Sequence, residues 1–259
     1  MDEVTSKRKK FLLSLFILGV TFACNPSLTV SRSENQQYRI SDTQGEETAI
    51  HSFIKPYHDS LESQLGKVIV YSDIALITGS GKKDMPPEQT AMGNFMVDAC
   101  MFIAKQRARE LSKPAPDISI FTWGSIRKSL PAGNITLNNI FELMPFENEM
   151  VVLKLTGSET KQLLNQLAKR YDPIGGALIT KGEVNQLSIH GNLLDENKTY
   201  NVLASDYLSF GGDNLTVLKN ASERYFCGVK VRDAIIQYLE SLQAKGETLK
   251  PDYEQRIKN

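Results

Sequence analysis

The stretch that decides the fold is Trp123-Gly124-Ser125-Ile126-Arg127, which follows the apolar run at residues 118–121. Such a run predicts a buried strand, and the glycine after it marks a turn. An arginine at this place can present its planar guanidinium group to a carboxylate or a phosphate. Arg127 is therefore a candidate ligand-binding residue at the end of a strand.

Two further stretches combine an aromatic residue with a turn, Met144-Pro145-Phe146-Glu147-Asn148 and Tyr207-Leu208-Ser209-Phe210-Gly211-Gly212-Asp213. The paired glycines allow a ligand or another segment to approach the backbone closely. Two aromatic rings could hold a flat base between them, at about 1–3 kcal/mol for each stacking contact. The alternative is that these residues serve only turns and packing. The candidate ligand-binding residues are Phe146, Asn148, Tyr207 and Asp213.

Helical and strand patterns are interspersed along the rest of the chain. Apolar spacing predicts helices at about residues 46–65, where Pro56 should cause a kink or a break, 88–111 and 231–242. Strand patterns occur at residues 68–72, 150–155, 184–190 and 200–204. Thr156 and Glu159 form a capping-box pattern that predicts the start of another helix. Because the later strands resemble hairpins, the sequence favours an α+β fold over a doubly wound sheet.

The composition excludes several classes of function. The 259 residues include 30 Lys and Arg and 30 Asp and Glu, so the formal net charge is zero. A nucleic-acid-binding protein needs a concentrated positive field, which this balance argues against. The three cysteines are too few for a disulfide framework, and Cys100 and Cys227 fit the pattern of core residues. Three histidines without carboxylate neighbours at metal-ligand spacing leave little material for a metal site.

The N-terminus has the parts of a secretory signal peptide. Four basic residues at positions 7–10 precede an apolar run at 11–22, and Ala23-Cys24 follows. This arrangement resembles a bacterial lipoprotein signal with Cys24 as the lipidated residue, whereas an ordinary cleaved signal or an uncleaved anchor is the alternative. We therefore expect a signal peptide at 1–23, a polar tether at 24–47 and a folded domain at 48–259.

The order of the three stretches resembles the C-terminal, substrate-binding domain of the bacterial 5'-nucleotidase and UDP-sugar hydrolase family. That family carries Gly-Gly-x-Arg followed by Leu-Pro-x-Gly-x-Ile-Thr, then Pro-Phe-x-Asn, a strand that ends in Leu-Thr-Gly, and an aromatic residue six positions before the Asp of Gly-Gly-Asp. Arg127 matches the family arginine, with Ser125 in place of the second glycine. The resemblance spans about residues 68–238 and implies a layered α/β/β/α fold with mixed sheets.

The resemblance also implies a role for each matched residue. Phe146 and Tyr207 would sandwich the base, while Asn148 and Asp213 would hydrogen-bond the ribose or the base edge. Arg127 would meet the phosphate or ribose region. Gly176 would match a family glycine beside the substrate.

Full-length members of this family carry a metallophosphatase domain that binds two metals through Asp-x-His and Gly-Asn-His motifs. The sequence contains none of these motifs, so we expect no cofactor in this chain and divalent metals in a partner. One hypothesis is a split 5'-nucleotidase, in which this chain binds the nucleotide or nucleoside and a separate metallophosphatase chain hydrolyses it. The alternative is a free-standing ligand-binding lipoprotein without hydrolase activity. Both place the protein at the bacterial cell envelope, on the periplasmic or outer-membrane face, with no nucleic acid as partner.

Overall fold

The computed structural model describes residues 34–37, 45, 47–79 and 81–259. The predicted signal peptide, the lipidation candidate Cys24 and most of the predicted tether lie outside the described residues. The chain divides into two compact units, Met1–His51 and Ser52–Asn259. Within the first unit, the structure describes residues 34–37, 45 and 47–51, and the last four of these begin a helix.

The described residues form helices and strands in alternation. The helices are α1 (Thr48–Leu65), α2 (Pro87–Glu110), α3 (Leu137–Leu143), α4 (Gly157–Arg170), α5 (Asp206–Ser209) and α6 (Val231–Ala244). The strands are β1 (Val68–Ser72), β2 (Ile118–Ile120), β3 (Gly133–Thr136), β4 (Glu149–Thr156), β5 (Ile174–Gly175), β6 (Ala177–Thr180), β7 (Gln186–Ile189), β8 (Asn192–Leu193), β9 (Thr199–Ser205), β10 (Glu223–Lys230) and β11 (Ile257–Lys258).

A five-stranded mixed sheet with the order β10-β4-β9-β2-β5 forms the centre of the second unit. Strands β2 and β9 are parallel, and the other neighbours are antiparallel. Successive side chains of a strand point to opposite sides of the sheet, and in β4 both sides are buried. Met150 and Val152 belong to one hydrophobic core, and Val151 and Leu153 belong to the other.

Helices α2 and α6 supply apolar side chains to the first core, and helix α4 supplies them to the second. The second core also receives residues from a four-stranded mixed sheet with the order β11-β6-β7-β8, whereas β1 and β3 form a separate two-stranded sheet. The predicted α+β fold with mixed sheets is confirmed. Cys100 and Cys227 are fully buried free thiols, and burial raises the pKa of both, for Cys227 to about 12.

The predicted capping box of helix α4 is present. The Thr156 hydroxyl accepts from the Glu159 N–H at 3.2 Å, and the Glu159 carboxylate accepts from the Thr156 N–H at 2.9 Å. Helix α1 begins at Thr48, two residues later than predicted, and runs through Pro56 without a break. No helix of the described part of the chain is long and apolar enough to span a membrane.

Candidate functional site

Three segments converge on one cavity of about 450 Å³: the one that follows β2, the one between α3 and β4, and the one that follows β9. Five of the six predicted site residues line this cavity, although they come from stretches up to 86 positions apart in the sequence. The tertiary structure therefore brings the three sequence stretches together. The lining residues are Gly124, Ser125, Arg127, Phe146, Asn148, Ser205, Tyr207 and Asp213.

Phe146 and Arg127 contact each other on one side of the cavity. The guanidinium carbon of Arg127 lies 5.8 Å from the centroid of the Phe146 ring, which is the geometry of a cation–π contact. The backbone N–H of Arg127 donates to the carbonyl of Leu143 at 2.8 Å and joins the two loops. Both side chains are exposed, so the ring and the positive charge are available to a ligand.

A hydrogen bond joins Tyr207 to Asp213 across the turn between them. The Tyr207 hydroxyl donates to Asp213 Oδ1 at 3.0 Å, and the Thr122 hydroxyl donates to Asp213 Oδ2 at 2.5 Å. The Tyr207 ring lies directly over Gly212, where an added Cβ would lie only 2.5 Å from the ring atom Cε1. The absence of a side chain at Gly212 therefore decides where this ring lies.

Asn148 is anchored to the start of the short helix α5. Its Nδ2 donates to Asp206 Oδ1 at 2.7 Å, and the same oxygen accepts from the backbone N–H of Tyr207 at 2.6 Å. Ser205 caps α5, because its hydroxyl accepts from the Leu208 N–H at 3.2 Å. Asp206 thus links the loop that carries Phe146 to helix α5, which carries Tyr207.

A second, more open cavity of about 490 Å³ shares Gly124 and Asp213 with the first. Arg170 donates from Nε to Asp172 Oδ2 at 2.6 Å and from Nη1 to the carbonyl of Asp213 at 2.7 Å. Burial raises the pKa of Asp172 to about 6, against the opposing effect of Arg170. Sequence reasoning missed Arg170 and Asp172, since no motif of the sequence marks them.

Gly176 lies apart from the other five predicted residues and lines a third cavity of about 230 Å³. Its φ is +76°, and an added Cβ would lie 2.1 Å from the carbonyl oxygen of Asp117, so the position requires glycine for backbone reasons. His190 lines the same cavity, with Nε2 3.9 Å from Asp117 Oδ1. The role predicted for Gly176 beside the substrate stays a prediction.

Trp123, which opens the first stretch, packs inside the protein. Only 8% of it is exposed, and its indole Nε1 donates to the carbonyl of Tyr171 at 2.7 Å. Within residues 34–37, 45, 47–79 and 81–259, no three His, Cys, Asp or Glu side chains form a group that could hold a metal ion. The site of the described chain consists of aromatic rings, an arginine, an amide and a carboxylate.

These features define an α+β domain with a cavity lined by aromatic and polar side chains. The family model "5'-nucleotidase, C-terminal domain" matches residues 74–220, more than half of the chain. The chain belongs to this family.

Known relatives agree with this assignment. The trifunctional nucleotide phosphoesterase protein YfkN of Bacillus subtilis is 27% identical over 78% of this chain and 14% of its own length. The 5'-nucleotidase of Vibrio vulnificus is 24% identical over 80% of this chain and 37% of its own length. The crystal structure of a 5'-nucleotidase precursor from Thermus thermophilus matches with a TM-score of 0.63 and 23% identity, over 82% of this chain and 42% of that one. The chain thus spans less than half the length of each of these relatives.

Proposed function

We propose that this domain binds a nucleoside or nucleotide in the 450 Å³ cavity and serves as the recognition half of a 5'-nucleotidase. The observation that carries the proposal is the convergence of Phe146 and Tyr207 on one cavity, with Arg127, Asn148 and Asp213 beside them. Membership of the 5'-nucleotidase C-terminal family supports the same ligand class.

The base would stack between Phe146 and Tyr207. Phe146 is 38% exposed and Tyr207 52% exposed, so both rings keep free surface for a ligand. Stacking between two rings tolerates different bases, because every base has a π face. This part of the site would therefore accept more than one nucleoside.

The polar groups would bind the sugar and the phosphate. Each carboxylate oxygen of Asp213 already accepts one hydrogen bond, and each has a second lone-pair site for a ribose hydroxyl or a base N–H. Asn148 donates from Nδ2 to Asp206, which fixes the orientation of its amide towards the cavity that it lines. Arg127 would bind the ribose or phosphate region with its guanidinium donors.

Hydrolysis of the phosphoester would come from a separate metallophosphatase chain. Two metal ions can polarise the phosphoryl group and activate a water molecule. The groups that line the cavity can bind and orient a nucleotide, and the partner would supply the metals. We further propose that lipidated Cys24 attaches the protein to the bacterial envelope, with residues 24–47 as the tether.

Calorimetric titration with adenosine, AMP and UDP-glucose tests the binding function. We expect binding of at least one of these probes, and Phe146→Ala or Tyr207→Ala should weaken it about 10- to 100-fold through the loss of one stacking contact. Phe210→Ala is the matched control, because Phe210 lies in the same turn, is 58% exposed and does not line the cavity.

The outcomes separate the functional classes. Absence of binding by the wild-type protein would reject the recognition function altogether. Binding without any gain in AMP or UDP-glucose hydrolysis, with every metallophosphatase chain of the same organism, would instead favour a free-standing ligand-binding lipoprotein.

A further inference from the structure

Glu147 lies between the proposed ligand-binding residues Phe146 and Asn148 and contacts a distant part of the chain. The Glu147 carboxylate accepts hydrogen bonds from Lys230 Nζ and from Arg232 Nη2. Glu147 directly follows Phe146 and directly precedes Asn148. These two contacts therefore act on the backbone that positions both side chains.

Two hydrogen bonds from backbone N–H groups attach the same segment to the same corner, where β10 leads into α6. The N–H of Val231 donates to the carbonyl of Asn148 at 2.8 Å. The N–H of Gly228 donates to the Glu149 carboxylate at 2.8 Å. Three consecutive residues, 147 to 149, are thus each bound to the segment 228–232.

Arg232 is a rigid anchor for Glu147. Its side chain is only 7% exposed, and its guanidinium carbon lies 4.3 Å from the centroid of the Phe141 ring. Its Nε is buried without a hydrogen-bond partner among the described residues, and Asp233 Oδ1 lies 4.0 Å away. A buried cation that loses a partner is costly, so the fixed guanidinium holds the 62% exposed Glu147 side chain in one place.

We propose that Arg232 and Lys230 are positioning residues of the ligand site, which act through Glu147 to fix the ring of Phe146 in the orientation that stacks on the base. Arg127 contacts the Phe146 ring from within the cavity, and Glu147 restrains its backbone from outside. Preorganising the ring in this way removes an entropy cost that the ligand would otherwise meet on binding. This inference rests on the proposed binding function.

The test is Glu147→Gln, which keeps the shape of the side chain and removes its charge. Adenosine is the probe, because it is neutral and its affinity does not report the change in local charge directly. We expect a loss of adenosine affinity of about tenfold. The thermal midpoint should fall as well, because Arg232 loses its carboxylate partner, so affinity is measured at a temperature where both proteins are folded. Lys230→Met removes one of the two donors and should cause a smaller loss of about threefold.

The matched control is Glu223→Gln. Glu223 lies on β10, the strand that carries Lys230, and pairs with Lys154 of β4 at 2.8 Å. Neither residue lines the cavity. The affinity of this variant for adenosine should equal that of the wild type. An equal loss in both variants would overturn the positioning role.

A double-mutant cycle with Phe146→Ala separates positioning from a general effect on the fold. Without the ring, Glu147→Gln should weaken adenosine binding by less than about twofold. A full tenfold loss in the Phe146→Ala background would contradict the proposal. If the wild-type protein binds none of the three probes, both the binding function and this inference are rejected. If the wild type binds and Glu147→Gln binds equally well, only the positioning role is rejected.

Discussion

Phe146 and Tyr207 form two walls of the cavity, called here the Phe146 wall and the Tyr207 wall, and an ion pair lies behind each of them. The buried member is the cation in one pair and the anion in the other. Behind Phe146, the cation Arg232 is 7% exposed and the anion Glu147 is 62% exposed. Behind the turn of Tyr207, the anion Asp172 is 5% exposed and the cation Arg170 is 35% exposed. Hydrogen bonds from Lys230 and Arg232 lower the pKa of Glu147 to about 2, whereas burial raises the pKa of Asp172 to about 6.

The difference shows that an ion-pair partner does not by itself set the direction of a pKa shift. A carboxylate in water gains from each neighbouring cation and loses little hydration. A carboxylate inside the protein loses hydration, and here one arginine does not compensate for that loss. The two walls should therefore respond differently to mutation, pH and salt.

The largest effect is expected at the Tyr207 wall, from Gly212→Ala. The new Cβ would lie 2.5–2.7 Å from three atoms of the Tyr207 ring, and the half-exposed ring must move away. Nucleoside affinity should fall about 10- to 100-fold, as for removal of the ring itself. Gly182→Ala is the control, since its Cβ would meet only the Val184 carbonyl at an ordinary 3.5 Å. Unchanged affinity in Gly212→Ala would show that the position of the Tyr207 ring does not matter.

The next effect concerns pH and the Asp172 pair. The folded-state pKa of about 6 lies above the usual value of 3.8, so the folded state binds the proton more tightly than the unfolded state. The contribution of Asp172 to stability is therefore fully present below about pH 4 and is lost as the pH rises through about 6, by on the order of 3 kcal/mol. Urea unfolding across this range should show the decline in the wild type.

Asp172→Asn should abolish that decline, because the amide does not titrate. Glu147 should show the opposite pH dependence, which Glu147→Gln would remove. The folded-state pKa of Glu147 is lowered to about 2, so its contribution is present above about pH 4.5 and is lost only as the pH falls towards 2. If Asp172→Asn retained the full decline between pH 4 and pH 6, the explanation by burial would be wrong.

The smallest effect is expected from salt at the Phe146 wall. Because the Glu147 carboxylate faces solvent, ions screen its attraction to Lys230 and Arg232. Raising NaCl from about 0.05 M to about 1 M should weaken adenosine binding about twofold in the wild type and leave Glu147→Gln unaffected. Equal salt responses of the two proteins in calorimetry would argue against an exposed ionic restraint.

Much of the fold followed from local pattern. The strand pattern at residues 150–155 predicted β4, and the spacing of Thr156 and Glu159 predicted the start of α4. Both signals are local, since neighbouring side chains of one segment produce them. Strand β10 was not predicted, because only one of its eight residues is buried; among the described strands it pairs with β4 alone.

The candidate site was predictable only where residues carry a motif. Five of the six proposed site residues line one cavity, while Gly176 lies elsewhere. Arg170, Asp172 and Arg232 carry no motif. Their partners lie 2 to 85 positions away in the sequence, and their importance follows from burial.

The sequence by itself determined the chemical inventory of this protein: two aromatic residues on turns, one arginine after a glycine turn, and a family pattern that orders them. Local propensity and motif spacing are properties of short segments, so they can be recognised without a structure. Only the tertiary structure decided which groups share a cavity, which member of each ion pair is buried and which glycine lies under a ring. These properties depend on long-range packing and on exclusion of water, which no single segment contains.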